Sequence, residues 1–396
     1  MKKLVLAYSG GLDTSYCLTR LSKEGYTVHA VSVNTGGFSP QEIKAQEKNA
    51  YAMGATSYES IDALASFYEK IVKYLIFGNV LKNNTYPLSV SAERVVQAIE
   101  IVDYAKKVNA DYIAHGSTGA GNDQVRFDLI FQILAPEIEI ITPIRDQQLA
   151  REDEIAYLQS QGIDLSWEKA QYSVNQGLWG TSVGGSETLT SHLTLPEAAY
   201  PSQVSQTTPR KITLSFEKGQ IVALDGIEDQ PVSIIQQLQS IAKTYGIGRD
   251  IHVGDTIIGI KGRVGFEAAA PLIILKAHHL LEKHTQSKWQ QFQKEQLANF
   301  YGMQLHEGNY FDAVMRDIEA FLESSQTTVT GDVFITLHPY RFELEGIASP
   351  FDLMTPSFGS YGEMNKAWTA EEAKGFIKIS ANAHKIYTHV NKTTEK

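Results

Sequence analysis

The chain has little cysteine, no long run of basic residues and no long apolar segment. Its only cysteine among 396 residues is Cys17, which excludes a disulfide within the chain and is typical of a reducing cytoplasm. Lys and Arg number 35 against 45 Asp and Glu, a net charge of −10, so a nucleic-acid partner is not expected. No apolar run approaches the ~20 residues that a membrane helix needs, and the N-terminal residues lack the features of a signal peptide. We therefore expect a cytoplasmic protein with neither a membrane nor a nucleic-acid partner.

The 43% hydrophobic content and the length predict a globular protein of more than one domain. Over residues 1–165, apolar strands alternate with helical segments, which predicts an α/β fold with a doubly wound parallel sheet that binds a nucleotide. Hairpin patterns, a strand predicted at 255–261 and one long helix predicted at 272–302 indicate an α+β synthetase domain over residues 166–362. Residues 363–396 are predicted to form a C-terminal helical arm.

A glycine-rich turn follows the first predicted strand. Its sequence is Ser9-Gly-Gly-Leu-Asp-Thr-Ser15, and a helical segment comes next. Two glycines permit a tight turn and close approach of an anion, while hydroxyl side chains and the helix N-terminus supply donors. The turn contains neither GxxxxGK[ST] nor GxGxxG, so it is not a Walker loop or a dinucleotide fingerprint. The turn therefore predicts a phosphate-binding site.

A second glycine-rich loop follows the short strand predicted at 111–114. It reads His115-Gly-Ser-Thr-Gly-Ala-Gly-Asn-Asp-Gln-Val-Arg-Phe127. Its neutral polar groups, the carboxylate of Asp123 and the planar guanidinium of Arg126 suit a zwitterionic amino acid. The alternative is a capped helix start with Arg126 on a solvated face. Because ligands bind beyond the carboxyl ends of parallel strands, we expect both loops to face one crevice.

The two loops together resemble the argininosuccinate synthase family of the ATP pyrophosphatases (the PP-loop superfamily), and the chain resembles a divergent bacterial-type member. Further strings agree in order along nearly the whole chain: Tyr86-Pro-Leu-Ser-Val-Ser91, Tyr172-Ser-Val-Asn175, Leu178-Trp-Gly-Thr-Ser182 and Gly259-Ile-Lys-Gly-Arg263. The resemblance implies ATP-dependent ligation of citrulline and aspartate, through a citrullyl-adenylate, with release of AMP and pyrophosphate in arginine biosynthesis. It also implies Mg²⁺ and a homotetramer.

The resemblance assigns residues to each ligand. ATP is expected at Ala7, Tyr8, Ser9, Gly10, Gly11, Leu12, Asp13, Thr14, Ser15, Val33 and Gly116. Aspartate is expected at Thr118, Asn122 and Asp123, and citrulline at Tyr86, Ser91, Asn122, Arg126, Ser173 and Ser182. As catalytic residues, Asp13 is expected to orient the loop or a metal-bound water, and Asp123 to hold the attacking amine. No metal site made by the protein's own ligands is predicted.

The chain departs from the family pattern at positions that matter for citrulline. Gly254 and Phe266 stand where the family places a glutamate and a tyrosine that contact citrulline, and Asp255 or Glu267 is a hypothetical substitute for the carboxylate. Glu93-Arg94-Val95 replaces Ala-Arg-Pro, and Ala120 stands where a lysine is common. These changes indicate a divergent branch or a changed substrate.

Three alternatives stay open on the residues alone. One is another ATP pyrophosphatase that draws ammonia from a glutaminase domain, although the sole cysteine lies beside the phosphate loop. The second is a tRNA-modifying enzyme, which the acidic charge disfavours. The third is a non-catalytic nucleotide-binding or scaffold protein, which the presence of both glycine-rich loops disfavours.

Overall fold

An apolar strand at the start of the chain forms the centre of a parallel sheet. The computed structural model describes residues 2–163, 172–354, 361–362 and 367–392. The strands are β1 (Lys3–Ala7), β2 (Thr27–Asn34), β3 (Ser57–Asp62), β4 (Tyr112–Ala114), β5 (Glu139–Ile141), β6 (Ser173–Gly177), β7 (Gly180–Gly184), β8 (Arg210–Glu217), β9 (Gln220–Leu224), β10 (Ile227–Glu228), β11 (Arg249–Asp255), β12 (Lys261–Glu267), β13 (Gly331–His338) and β14 (Arg341–Ala348).

The α-helices are α1 (Leu12–Lys23), α2 (Pro40–Ala52), α3 (Leu64–Phe67), α4 (Lys73–Gly78), α5 (Ser89–Lys107), α6 (Asp123–Leu134), α7 (Pro143–Gln147), α8 (Arg151–Ser160), α9 (Pro231–Ala242), α10 (Ala269–Thr285), α11 (Lys288–Glu307), α12 (Ala313–Ser325), α13 (Ala370–Ser380) and α14 (Asn382–Lys392). A π-helical turn, Tyr68–Val72, joins α3 to α4. Short 3₁₀ turns lie at Ser186–Leu189, Glu197–Ala199 and Lys243–Tyr245.

The first sheet has the strand order β3-β2-β1-β4-β5, and every pair in it is parallel. Successive side chains of β1 enter different cores, because Val5 packs with residues of α5 while Leu4 and Leu6 pack with residues of α1. Helices therefore cover both faces, which confirms the predicted doubly wound sheet. The strand order reverses between β1 and β4, and loops that follow these two strands meet where such sheets bind ligands.

Two antiparallel sheets follow, as the predicted α+β composition requires. One has the order β11-β12-β7-β6 and the other β10-β9-β8-β13-β14. In the first of these, Ser182 of β7 pairs with Asn175 of β6 on one side and with Phe266 of β12 on the other. This register brings residues from distant parts of the sequence to one surface.

Two predictions of secondary structure were wrong. The strand predicted at 255–261 is the turn between β11 and β12, closed by a hydrogen bond from the Thr256 amide to the Ile260 carbonyl, with Gly259 at φ +83°. Its alternating isoleucines imitate a strand pattern. The single helix predicted at 272–302 is two helices, because Ser287 and Gln290 form a capping box that begins α11.

The chain forms two compact units, 1–350 and 351–396. The second contains α13 and α14, whose Phe376 and Tyr387 side chains are each 72% exposed. Within the described ranges, no helix combines the length and apolar character needed to cross a membrane.

Candidate active site

A cavity of about 1070 Å³ lies beyond the carboxyl ends of β1, β2 and β4. Both glycine-rich loops line it, together with the first turns of α5 and strands of the β11-β12-β7-β6 sheet. The predicted ligand residues that line it are Ala7, Tyr8, Ser9, Gly11, Leu12, Asp13, Thr14, Val33, Tyr86, Ser91, Gly116, Thr118, Asn122, Asp123, Arg126, Ser173 and Ser182. Gly10 and Ser15 do not line it, and the Ser15 side chain is buried.

The phosphate loop presents backbone amides to the cavity. Gly10 has φ +77°, and the N-cap residue of α1, Gly11, provides no side-chain cap, so the amides of the first turn are available to an anion. The Thr14 hydroxyl donates to the Gly11 carbonyl at 3.2 Å and lies 3.2 Å from the Ser9 hydroxyl. Gln46 donates from Nε2 to the Ser9 carbonyl at 3.1 Å, which fixes the loop from outside.

The second loop packs directly on the first. A Cβ added to Gly116 would lie 3.2 Å from the carbonyl carbon of Asp13 and from the Thr14 amide nitrogen, so this approach favours glycine. His115 holds the second loop in place. Its Nδ1 accepts the Ser117 amide at 3.1 Å, and its Nε2 lies 2.7 Å from the Asp128 carboxylate. Both ring nitrogens are thereby occupied, which favours an ordering role for this histidine.

Asp123 lies between two arginines. Its Oδ2 accepts a bond from Arg94 Nε at 2.9 Å, and its Oδ1 accepts one from Arg126 Nη1 at 2.8 Å. Burial alone would raise the pKa of Asp123, but the two guanidinium groups lower that pKa to about 2. The carboxylate is therefore ionised at neutral pH, and about a third of the side chain stays exposed to the cavity. It can hold an ammonium or amine, and it is too weak a base to remove a proton efficiently.

Glu93 is a cavity residue that the sequence analysis did not assign. Its Oε2 accepts a hydrogen bond from the Thr35 hydroxyl at 2.8 Å, and its Oε1 lies 3.3 Å from Arg94 Nη1. Burial raises the pKa of Glu93 to about 7, although Arg94 and Thr35 act to lower it. The sequence signal that could have identified this residue is the adjacent pair Glu93-Arg94 in the first turns of α5. Both side chains line the cavity, and they form an ion pair there.

A second missed residue, Glu154 of α8, lies under the phosphate loop beside Asp13. Burial raises the pKa of both carboxyl groups, and the Asp13 charge raises that of Glu154 further. We therefore expect the buried Glu154 and the partly exposed Asp13 to share one proton, because two neighbouring carboxylates repel each other when both are ionised. No local pattern in α8 could have revealed this pairing, because it depends on how α8 packs against α1.

The far end of the cavity contains Tyr86, Ser91, Ser173 and Ser182 together with two unpredicted histidines, His252 and His306. Arg126 donates from Nε to the His306 carbonyl at 2.9 Å, and its Nη2 lies 3.3 Å from His306 Nδ1. The Tyr86 ring stacks on the His252 ring with centroids 5.2 Å apart.

Of the residues at or next to the positions where the chain departs from the family pattern, Asp255 lines the cavity, whereas Phe266 and Glu267 do not. Phe266 is fully buried against Tyr86 and does not line the cavity. Glu267 does not line it either, because its carboxylate accepts a bond from Arg249 Nε at 2.9 Å. Asp255 lines the cavity, but it pairs with Lys261 at 2.7 Å.

A parallel sheet whose two glycine-rich loops line one cavity is typical of nucleotide-binding proteins. Family models match in two segments: arginosuccinate synthase N-terminal HUP domain over residues 3–164 and arginosuccinate synthase C-terminal domain over residues 172–387. Together they cover most of the chain, so the chain belongs to the argininosuccinate synthase family, as the sequence resemblance indicated.

Individual relatives agree over their full length. An argininosuccinate synthase of Xanthomonas axonopodis pv. citri is 35% identical over 99% of this chain and 96% of its own. One from Methanocaldococcus jannaschii is 36% identical over 97% of each chain, and one from Dictyoglomus turgidum is 36% identical over 98% of this chain and 97% of its own.

Proposed function

We propose that the protein catalyses the ATP-dependent ligation of citrulline and aspartate to argininosuccinate, a reaction of arginine biosynthesis. The observation that carries this proposal is the contact between the two loops. Gly116 lies against Asp13 and Thr14, so an amino acid held by the second loop is adjacent to phosphates held by the first. Family membership supports the same reaction.

The first half-reaction activates a poor electrophile. Both nitrogens of a ureido group donate electron density into its carbon, and its oxygen leaves poorly. Bonding of that oxygen to the α-phosphorus of ATP breaks the bond to pyrophosphate and creates a leaving group. Charge then develops on the departing phosphates, and the amides at the start of α1 and the Ser9 and Thr14 hydroxyls are positioned to stabilise it.

The second half-reaction forms the new C–N bond. The aspartate amine attacks the activated carbon, AMP departs with the ureido oxygen, and the amine proton passes to solvent or phosphate. We propose that Asp123 orients this amine, since two arginines hold its carboxylate ionised. Thr118 and Asn122 bind the rest of aspartate, while Arg126, Tyr86 and the serines bind the ureido substrate. Most of the acceleration then comes from positioning and electrostatics.

Mg²⁺ is part of the proposal. Among the described residues, no three His, Cys, Asp or Glu side chains cluster as metal ligands. An ion carried mainly by the nucleotide phosphates would need few protein ligands, and Asp13, which lines the cavity at the loop, would orient the loop or a metal-bound water. When bound, Mg²⁺ would neutralise charge on the phosphate oxygens.

We also propose a cytoplasmic homotetramer. The exposed aromatic side chains of α13 and α14 support contact with another subunit, because solvent-exposed apolar faces of this kind mark association surfaces. Analytical ultracentrifugation should give the mass of four chains. A monomer at micromolar concentration would contradict this part of the proposal.

The test of the reaction is pyrophosphate release from ATP and Mg²⁺, with citrulline and aspartate omitted in turn. We expect release to require the ureido substrate and to run to completion only when aspartate is added. ATP binding without substrate-dependent release would instead support the non-catalytic nucleotide-binding protein.

A further inference from the structure

The end of the cavity around Tyr86 is rich in basic side chains. Arg126 supplies a guanidinium group there, and Lys82, which does not line the cavity, is a second cation close enough to interact electrostatically with Arg126. Two imidazoles, His252 and His306, complete the wall. Burial lowers the pKa of His306 to about 2, with Arg126 adding to the effect, so its ring is neutral at physiological pH.

His252 occupies the space that a side chain at position 254 would need. A Cβ on Gly254 would lie 2.6 Å from the Nε2 of His252, so a larger residue at 254 would require the imidazole to move from this position. The His252 ring is 6% exposed and its Nδ1 is buried with no hydrogen-bond partner among the described residues. Burial, together with Lys82, lowers the pKa of His252 to about 4.

Every carboxylate that lines this end within the described ranges already has a cationic partner. Asp123 is held by Arg94 and Arg126 and is the carboxylate that we propose for the aspartate amine, and Asp255 is paired with Lys261. Glu307 interacts electrostatically with Lys82 and does not line the cavity. Since a buried ammonium group requires an anionic or strong acceptor partner, this end disfavours an α-ammonium and favours a carboxylate.

We infer that this end of the cavity binds a ureido acid whose α-nitrogen carries no positive charge, such as an Nα-acylated citrulline, in preference to citrulline itself. The inference rests on the proposed ligase reaction and changes only the state of the acceptor's α-nitrogen. The neutral imidazole of His252 contacts the uncharged, acylated α-nitrogen of the substrate. Arg126 binds the α-carboxylate of the same molecule. Adenylation of the ureido oxygen and attack by aspartate proceed as before.

Pyrophosphate release with citrulline and with Nα-acetylcitrulline tests this directly in the unaltered enzyme. With ATP, Mg²⁺ and aspartate fixed, we expect kcat/KM for Nα-acetylcitrulline to exceed that for citrulline by roughly tenfold or more. Equal or better use of citrulline overturns the inference and leaves the ligase reaction standing. Release with neither acceptor overturns both.

A matched pair of variants isolates the charge at this position. His252→Glu places a carboxylate at this end, whereas His252→Gln has a similar size and no charge. We expect His252→Glu to shift the preference towards citrulline by roughly tenfold relative to His252→Gln. Equal preferences in the two variants would contradict the assigned role of His252. The comparison of acceptors in the unaltered enzyme stays decisive if either variant fails to fold.

Discussion

The two ends of the cavity present different kinds of groups to a ligand. At the end formed by residues 9–15, backbone amides and the Ser9 and Thr14 hydroxyls face the cavity, and Gly116 of the second loop packs against this segment. At the ureido end, side chains from α5, α6, α11 and the β11-β12-β7-β6 sheet converge. Recognition by backbone depends on local geometry and is difficult to alter by substitution. Recognition by side chains can be altered by a single substitution. His252 and Gly254 illustrate this, because a larger residue at 254 would meet the His252 ring.

The largest expected effect is at the junction between these ends. Asp123→Asn removes the anion that Arg94 and Arg126 share and the acceptor for the attacking amine. We expect kcat for pyrophosphate release to fall on the order of 10²–10³-fold, because a preorganised charged group is lost from the site. Steady-state kinetics with saturating substrates would measure it. Asp317→Asn, an exposed change on α12, serves as the control. An unchanged kcat in Asp123→Asn would remove this residue from the mechanism.

A smaller effect is expected at the phosphate end. Gly10→Ala puts a side chain on a left-handed residue at φ +77°, with its Cβ 3.0 Å from Gln46 Cγ. The strain costs about 1–2 kcal/mol and displaces the loop, so ATP affinity should fall roughly tenfold.

Gly162→Ala is the matched control, since Gly162 has φ +76° and no atom of the described residues lies within 4 Å of the added Cβ. It should lose similar stability in thermal unfolding and keep its ATP affinity by titration calorimetry. If both variants bind ATP equally well, the loop geometry at Gly10 is not needed for the nucleotide.

The smallest effect concerns pH and the buried pair beneath the loop. Because burial raises the pKa of Glu154, the folded chain holds a proton that the unfolded chain releases at lower pH. The contribution to stability is therefore full in acid and is lost as pH rises through the folded pKa. Glu154→Gln should remove this decline, a difference on the order of 1 kcal/mol in urea unfolding between about pH 5 and 8. Glu152→Gln, exposed on the same helix, should keep the decline of the unaltered protein. Identical pH profiles for the two variants would argue against the shared proton.

Local motifs predicted much of the fold and the phosphate end. The order strand, glycine turn, helix is encoded in consecutive residues, so the sheet and the loop at Ser9 followed from the sequence. The pairing of Asp13 with Glu154 and the place of His252 did not, since they depend on packing between elements far apart in sequence. The turn at 256–260 was misread because its isoleucines satisfy a strand pattern, while only the hydrogen bond from Thr256 to Ile260 reveals its conformation.

One hydrogen bond joins the turn between β11 and β12 to the second glycine-rich loop. The side-chain oxygen of Asn122 accepts a hydrogen bond from the Ile257 amide at 2.9 Å, in the turn between β11 and β12. Exposed turns tolerate insertions and substitutions better than buried strands do. A change in this turn can therefore alter the position of Asn122 without altering the loop at residues 9–15. Substitutions in the turn can thus change which amino acids the cavity accepts while the nucleotide-binding loop keeps its structure.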